Sequence, residues 1–403
     1  MANILLIGTG GCGNTLINDV KKYLNQKVGL SNIYDIAFIN NNREDFASLE
    51  YRTKLNSCAI EGTGSGTNAQ VAKKSLQNDK SKFLNFILKK VNDSDLVYIV
   101  SSSDGGFGNG TILTIAEFIR TIMPKVGIGL LIANPAYKVG PTRIANTLRL
   151  YEEISKTYKS ELERINKEKQ ANVPAQEIKL PVFNSVQFID NRKCSNDSME
   201  EFNKLTIELF IESLELKSKN LDETDMLLVN STHGYRGILP VSDSYRRLSD
   251  AIEKAALESP FLLPSEFFKD DEHEYLDLKE KIKVRQAGAV FKTRGFVERD
   301  FLECFSLKSD KYKVAIDDNG NNMIVLAGIN FPDNEMYKYN LELDRLLEES
   351  KKEEMEEMEK KAFTFENKFS NNNDFNISIQ DKEDDVEKLK RAKAALGADF
   401  FKI

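Results

Sequence analysis

Three glycine-rich segments contain the residues of this sequence that could bind an anion. They read GTGGCG at 8–13, GTGSG at 62–66 and SSSDGGFGNGT at 101–111. Glycine weakens an ordinary helix or strand by about 0.5–1 kcal/mol, so a cluster marks a turn with positive φ or a backbone that approaches something closely. Each segment follows a candidate strand and precedes a candidate helix, whose N-terminus attracts negative charge. The pattern predicts an anion cradle; for 101–111 read alone, a flexible surface turn is the alternative.

Two known phosphate-binding patterns narrow this prediction. Gly8, Gly10 and Gly13 fit the G-x-G-x-x-G dinucleotide fingerprint, but that fingerprint needs an acidic residue after the second strand, where this chain has asparagines at 40–42. A Walker loop needs G-x-x-x-x-G-K-[ST], and no lysine follows a glycine segment in that register. Backbone N–H groups would therefore hold the phosphates, and three loops on one sheet edge suit a triphosphate. A nicotinamide-dependent oxidoreductase remains an alternative.

A pair of carboxylates forms the second candidate group. It lies in NLDETD at 220–225, where Asp222 and Asp225 are three residues apart. At a helix N-terminus this spacing places both side chains on one face, where the helix dipole favours them. The alternative role for these acids is capping of the helix that follows.

The elements around these residues predict an α/β fold. Apolar runs at 4–7, 33–40, 96–100 and 126–135 read as strands, and helical patterns separate them. Alternating strands and helices indicate a doubly wound parallel sheet, with its binding edge at the carboxyl ends of the strands.

A long helix and a smaller α/β domain are predicted to follow. Phe202, Leu205, Leu209 and Leu216 recur at helical spacing, so 198–219 should form one central helix about 30 Å long. A helix is expected at 245–257 and strands at 287–296, 303–307 and 323–330. The predicted organisation is a ligand-binding domain at 1–197, the central helix at 198–219, a second domain at 220–332, a charged helix at 333–365 and a flexible tail at 366–403.

Composition excludes several functions. The formal net charge of -7 argues against a broad nucleic-acid-binding surface on the folded body. The four cysteines form no CxxC pair and there are two histidines, so neither a zinc site nor a disulfide framework is supported. No apolar run approaches 18 residues, which predicts a soluble, cytoplasmic protein without a direct membrane contact.

The tail differs from the rest of the chain. Its acidic stretch at 381–385 cannot bury a core, whereas the basic and amphipathic segment 386–403 recovers apolar residues. A short helix on a flexible linker is a common way to hold a partner, and a frayed terminus is the alternative. The basic residues that would serve this purpose are Lys388, Lys390, Arg391 and Lys393.

Several of these segments together resemble the tubulin/FtsZ superfamily of polymerising GTPases. They are ILLIGTGGCGNTLIN, FINNN, GTGSGTNAQVAKKS, SSSDGGFGNGTILTIAEFIR and ALESPFLL, in that order. The resemblance runs from about residue 4 to residue 330 and implies GTP or GDP with Mg²⁺ as the ligand. SSSDGGFGNGT stands in place of the family's glycine-rich signature loop, but with Asp104 and Phe107 where the signature normally has Gly and Thr.

The resemblance also implies roles for individual residues. It implies that the nucleotide is bound by Gly10, Gly11, Cys12, Gly13, Asn14, Asn40, Gly64, Ser65, Gly66, Asp104, Gly105, Gly106, Phe107, Gly108, Asn109, Gly110 and Arg143. Asn191 stands where the family reads guanine, Phe202 where an aromatic ring stacks on the base, and Thr206 at a usual Asp or Asn position. Asn191 could instead be a turn residue and Phe202 a core residue.

For catalysis the resemblance implies Asn220, Asp222 and Asp225, which match the family's N-x-D-x-x-D loop. If the central helix starts near the base, about 30 Å separates these acids from the nucleotide of the same chain. Head-to-tail stacking would bring the acids of one subunit over the γ-phosphate of the next, and such an open contact produces filaments.

Within the family, the signature-loop departures, the charged helix and the basic end resemble the plasmid and phage group TubZ more than FtsZ. FtsZ tails usually contain proline, and 370–403 has none. This resemblance implies a filament that segregates DNA, with the tail holding a DNA-bound adaptor of the TubR type. A cell-division or phage-centring filament is the alternative.

Overall fold

The computed structural model describes residues 3–27, 34–137, 139–194, 199–216, 221–268, 278–293, 295–318 and 322–369, with side chains described up to 357. The chain forms two compact units, one ending at Leu346 and the other starting at Leu347. Among the described helices, none combines the length and the apolar character needed to cross a membrane.

One ten-stranded sheet organises the first unit. Its strands are β1 Ile4–Thr9, β2 Tyr34–Asn40, β3 Ser57–Ala59, β4 Leu96–Ser102, β5 Gly127–Asn134, β6 Ser185–Asp190, β7 Gly234–Pro240, β8 Gln286–Phe291, β9 Tyr312–Ile316 and β10 Met323–Ile329. They lie in the order β3-β2-β1-β4-β5-β6-β7-β10-β8-β9. The strands from β3 to β7 pair in parallel, and β10 is antiparallel to both β7 and β8. The carboxyl ends of the parallel strands therefore share one edge.

Helices cover both faces of this sheet. The described helices are α1 Gly10–Gln26, α2 Ala69–Asn78, α3 Lys80–Val91, α4 Phe107–Ile122, α5 Pro141–Gln170, α6 Met199–Leu214, α7 Glu223–Asn230, α8 Leu248–Glu258, α9 Leu278–Lys281, α10 Glu298–Cys304 and α11 Asp333–Phe369. Alternate residues of a strand enter opposite cores: Leu5 and Ile7 pack with α2 to α5, and Ile4 and Leu6 pack with α1 and α6. This two-sided burial explains the uninterrupted apolar runs and confirms the predicted doubly wound α/β fold.

The structure corrects several predicted elements. The strand predicted at 303–307 is wrong, because α10 extends to Cys304 and the rings of Phe301 and Phe305, one helical turn apart, lie 5.1 Å from each other. The central helix is shorter than predicted, since α6 ends at Leu214. Leu205, one of the apolar residues that predicted it, is 44% exposed. The sequence patterns also missed β7, β9 and the 30-residue α5. The predicted domain boundaries remain predictions. The parallel strands β3 to β6 connect to the rest of the sheet through β7, which pairs with β6 over two residues.

A buried arginine fixes the end of α6 to the sheet. Arg236 of β7 is fully buried, and its Nη2 donates hydrogen bonds to the carbonyl oxygen and Oγ of Ser213, at 2.9 and 2.8 Å. Its Nη1 donates to Gln187 Oε1 of β6 at 3.1 Å. Burial lowers the pKa of this guanidinium. Removing any of these partners would leave a buried charge unsatisfied, so the position of α6 is strongly specified.

A buried histidine predicts a pH effect on stability. His233 lies in the loop before β7, with Nδ1 3.2 Å from Phe183 O and its ring 4.6 Å from the ring of Tyr158. Burial, with a smaller effect of Arg285, lowers the pKa of His233 from 6.5 to about 4. Between these pH values the unfolded chain binds a proton that the folded protein does not. The free energy of unfolding should therefore fall as pH falls through this window.

Urea unfolding at pH 7 and pH 5 checks this expectation. His233→Gln should lose less stability than the unsubstituted protein between the two pH values, because the variant has no group at 233 to protonate. Equal losses in both proteins would contradict the assignment.

Candidate nucleotide site

A cavity of about 270 Å³ opens at the carboxyl edge of β1, β2 and β4. Its wall comes from the start of α1, the segment after β2, the second glycine segment and the starts of α4 and α5. The lining residues are Gly10, Gly11, Cys12, Asn40, Asn41, Asn42, Asp45, Gly64, Ser65, Gly66, Ser102, Gly105, Gly106, Phe107, Gly108 and Arg143. The three glycine segments therefore meet at one place, as their positions after parallel strands predicted.

Helix N-termini without side-chain caps contribute to this cavity. Thr9, Gly106 and Gly140 precede α1, α4 and α5, and none of the three provides a side-chain hydrogen bond to its helix. By contrast, the side chain of Asn68 caps α2 by accepting two backbone N–H hydrogen bonds, at 3.0 and 3.1 Å. The first N–H groups of a helix lack intrahelical partners, and its N-terminus is partially positive. The uncapped ends of α1 and α4, which line the cavity, can therefore hold phosphate oxygens.

Close packing between the loops explains why these positions are glycine. Gly10 has a φ of +74°, and a Cβ there would lie 2.8 Å from the backbone nitrogen of Gly108. A Cβ on Gly106 would collide with the carbonyl oxygen of Gly66. The glycines thus allow the loops to contact one another as well as to expose backbone to a ligand. The third segment is also partly helical, because α4 begins at Phe107.

Asp45 is a cavity residue that sequence reasoning missed. Its Oδ2 accepts a hydrogen bond from Asn40 Nδ2 at 2.7 Å, and its Oδ1 accepts one from Asn42 Nδ2 at 2.8 Å. The signal that could have revealed it is an acidic residue within a few positions of a strand's carboxyl end, next to polar side chains.

The two departures from the signature loop differ in their surroundings. Asp104 is 6% exposed, and its Oδ2 forms an ion pair with Arg143 Nε at a distance of 2.9 Å. This ion pair neutralises the carboxylate and orients Arg143, which lines the cavity from the first turn of α5. Phe107 lines the cavity and is 5% exposed, since it also belongs to the core between the sheet and α2 to α5.

Two predicted residues at the end of the first segment and directly after it, Gly13 and Asn14, do not line the cavity. A Cβ on Gly13 would collide with the carbonyl oxygen of Val100 in β4, so glycine allows α1 to pack directly on the strand. Asn14 is fully buried and exchanges hydrogen bonds with the backbone of Ile39, at 3.1 and 3.3 Å. Both residues position α1 against the sheet.

Two predicted residues of the third segment have similar supporting roles. Asn109 Nδ2 donates to the carbonyl oxygens of Ser103 and Asn146, the latter at 3.0 Å. A Cβ on Gly110 would collide with the carbonyl oxygen of Ala69, so this glycine allows α4 to pack against α2. Neither residue lines the cavity.

The residues predicted to contact the base lie on other elements and do not line this cavity. Asn191 begins a short 3-10 helix directly after β6, at the same sheet edge. Phe202 and Thr206 lie on α6, where Thr206 Oγ1 donates to the carbonyl oxygen of Phe202 at 2.7 Å. Thr206 is 1% exposed, and Phe202 packs against the core shared by α1 and α6. The predicted base contacts remain predictions.

The predicted catalytic acids form a capping box at the start of α7. Asp222 Oδ1 accepts from the backbone N–H of Asp225 at 3.0 Å, and Asp225 Oδ2 accepts from that of Asp222 at 3.3 Å. Lys313 Nζ of β9 lies 3.9 Å from Asp225 Oδ1. Asp222 is exposed, and neither acid lines the cavity. Asn220 lies outside the described residues.

Comparison with known proteins shows what the part of the chain that holds the cavity is similar to. Residues 3–162 match the model of the Tubulin/FtsZ family, GTPase domain. The matched residues include every residue that lines the cavity. The match ends well before Asp222 and Asp225.

A curated relative and two solved structures resemble the chain. Cell division protein FtsZ 2 of Methanocaldococcus jannaschii is 25% identical over 121 residues, which are 30% of this chain and 29% of that protein. TubZ of Clostridium botulinum phage c-st, with its C-terminal tail truncated, has a TM-score of 0.64 at 17% identity and covers 86% of this chain and 98% of its own. A GTPγS-form protofilament of Bacillus thuringiensis serovar israelensis TubZ has a TM-score of 0.65 at 17% identity, and the similarity covers 88% of this chain and 94% of the TubZ chain. The chain thus matches less than a third of the curated relative's length, while the solved structures share the fold of most of this chain.

Proposed function

We propose that this protein binds GTP and GDP in the cavity, hydrolyses GTP and assembles head to tail into filaments. The observation that carries the proposal is the cavity itself. It joins three glycine segments and uncapped helix N-termini within the residues that match the tubulin/FtsZ GTPase domain. Such a cavity binds phosphates through backbone N–H groups and therefore needs no P-loop lysine.

A second copy of the chain would complete the active site. Asp222 and Asp225 follow α6, whose 16 described residues span about 24 Å, and they line no part of the cavity. Because Asp222 is exposed, its carboxylate is accessible to the cavity of a neighbouring subunit. A contact between two different surfaces of identical subunits does not close on itself, so it generates a filament. The Bacillus thuringiensis TubZ structure, which is a protofilament, supports this assembly.

In this arrangement the neighbour's Asp222 and Asp225 orient, or take a proton from, the water that attacks the γ-phosphate. The N-termini of α1 and α4 hold the phosphates, and Arg143 lies beside them. When bound, Mg²⁺ supplies positive charge to the developing negative charge of the transferred phosphate.

The concentration dependence of turnover tests the proposal. Phosphate release per subunit should rise steeply at the protein concentration where GTP-dependent pelleting begins, because sites exist only between subunits. Negative-stain images with GTP and GTPγS should show filaments in the same range. A rate per subunit that stays constant across this threshold would contradict a shared site.

For its biological role, we propose segregation of plasmid or phage DNA in the cytoplasm. The similarity of fold to TubZ of a Clostridium botulinum phage supports this role over a cell-division or phage-centring filament. The acidic chain, with a net charge of -7, favours contact with DNA through an adaptor of the TubR type. The tail proposed to hold this adaptor, 370–403, lies outside the described residues.

A further inference from the structure

Asp45 is held in the wall of the cavity by neutral partners. Each of its carboxylate oxygens accepts one amide hydrogen bond, from Asn40 at 2.7 Å and from Asn42 at 2.8 Å. A Cβ built on Gly11 would lie 3.2 Å from Asp45 Oδ2, so the carboxylate lies against the first turn of α1. The two amides fix the carboxylate in place but leave its negative charge.

The other carboxylate close to the cavity, that of Asp104, has a positively charged partner. Asp104 lies 2.9 Å from Arg143 Nε, so its charge is compensated within the chain. A triphosphate in the cavity would be repelled by Asp45, because both carry negative charge in a partly buried place where screening is weak. A bound cation between them would convert this repulsion into attraction.

Asn41 provides a separate indication of a missing ligand. It lines the cavity and is 1% exposed, and its Nδ2 donates to Ser65 Oγ at 2.7 Å. Its Oδ1 is buried and accepts no hydrogen bond from the described part of the chain. A buried acceptor without a partner is costly, so it commonly marks the place of a ligand or ion.

We propose that Asp45 is the protein ligand of the Mg²⁺ that accompanies GTP, with Asn41 Oδ1 as a neighbouring oxygen donor. The proposal rests on the function proposed above. Mg²⁺ binds through one or two protein oxygens and takes its other ligands from phosphates and water.

A competing role for Asp45 makes a different prediction. The carboxylate could serve only as a substitute anion at the N-terminus of α1, to be displaced when phosphate enters. In that case removing its charge would strengthen nucleotide binding by the same factor with and without Mg²⁺. If Asp45 is a ligand of the metal, removing its charge should instead weaken nucleotide binding with Mg²⁺ and leave it unchanged or stronger without Mg²⁺.

The experiment measures binding of a fluorescent GTPγS analogue to Asp45→Asn and to the unsubstituted protein, in Mg²⁺ and in EDTA. With Mg²⁺ the variant should bind about 10- to 100-fold more weakly. In EDTA it should bind as well as or better than the unsubstituted protein, because the repulsion is gone. Mn²⁺ bound per subunit in the presence of GTPγS, counted by electron paramagnetic resonance, should fall in parallel. Equal changes in both conditions, or a retained Mg²⁺ effect, would overturn the proposal.

Two further variants keep the test independent of folding. Asp104→Asn removes the carboxylate that is already paired, so the Mg²⁺ effect on binding should persist. Asn41→Asp adds a negative oxygen beside the proposed metal and should increase the Mg²⁺ effect, a gain that misfolding does not produce; an unchanged effect would count against Asn41. If the unsubstituted protein binds guanine nucleotide in neither condition, the proposed function fails and this inference fails with it. If it binds but Asp45→Asn keeps the Mg²⁺ effect, the inference alone fails.

Discussion

Replacing Asp222 by asparagine should lower GTP turnover by about 100-fold or more without changing the unfolding temperature. The loss follows from removing a carboxylate that orients or deprotonates the attacking water, a role that contributes about 10²- to 10⁴-fold. Stability should persist because asparagine caps a helix as well as aspartate does, so the hydrogen bond to the Asp225 N–H survives. Phosphate release above the assembly threshold and thermal unfolding measure the two effects.

A matched control separates catalysis from capping. Asp225 and Asp300 are the third residues of α7 and α10, and each accepts a hydrogen bond from the backbone N–H of the residue that precedes its helix, at 3.3 and 2.9 Å. Both are half-buried. Asp225→Asn should reduce turnover strongly, whereas Asp300→Asn should affect only stability. Similar turnover in the Asp225→Asn and Asp300→Asn variants would contradict a catalytic role for Asp225.

A mixing experiment shows whether Asp222 acts across the interface. Asp222→Asn subunits, which have an intact cavity, are mixed with Gly106→Ala subunits, which have intact acids but a disrupted cavity. If Asp222 acts across the interface, the acids of a Gly106→Ala neighbour complete the cavity of an Asp222→Asn subunit, so turnover of the mixture should exceed the sum for the two variants alone. Turnover equal to that sum would mean that each chain uses its own acids.

Replacing Gly106 by alanine should abolish measurable GTP binding. The new Cβ would collide with the carbonyl oxygen of Gly66, and a rigid backbone atom cannot move aside as a flexible side chain can. The second and third glycine segments would be forced apart, which widens the phosphate cavity. Such overpacking also costs about 1–3 kcal/mol of stability. Fluorescent GTPγS titration, with circular dichroism to verify folding, measures the outcome.

Gly140 provides the control for this substitution. It precedes α5 with an ordinary extended φ of -66°, and a Cβ there meets nothing within 4 Å. Gly140→Ala should therefore bind GTP normally. Weak binding by both variants would indicate general loss of loop flexibility, and normal binding by both would show that the loops tolerate the collision.

Much of the site was predictable because topology determines it. Once 4–7 and 96–100 are recognised as neighbouring parallel strands, the glycine segments after them must meet at one edge. Supporting roles were less visible, since Asn14 and Asn109 have the same residue type as ligand-binding asparagines but direct their side chains to backbone groups.

Other features depend on tertiary structure that local patterns do not contain. Asp104 is close to Arg143 only because α5 begins beside the third glycine segment, and 38 intervening residues separate them in the sequence. The apolar residues at 303–307 resemble a short strand, yet Phe301 and Phe305 are packed on one face of a helical turn. In both cases packing against distant elements decides the outcome.

The contacts among the glycine loops also determine how the cavity can form. Gly10 touches Gly108, and Gly106 touches Gly66, so no loop reaches its final shape without the others. The strands that carry these loops must therefore be paired before the cavity exists, and ligand affinity should appear in a single step during folding. Loss of the pairing of β1, β2 or β4 alone would therefore disrupt all three loops of the cavity at once.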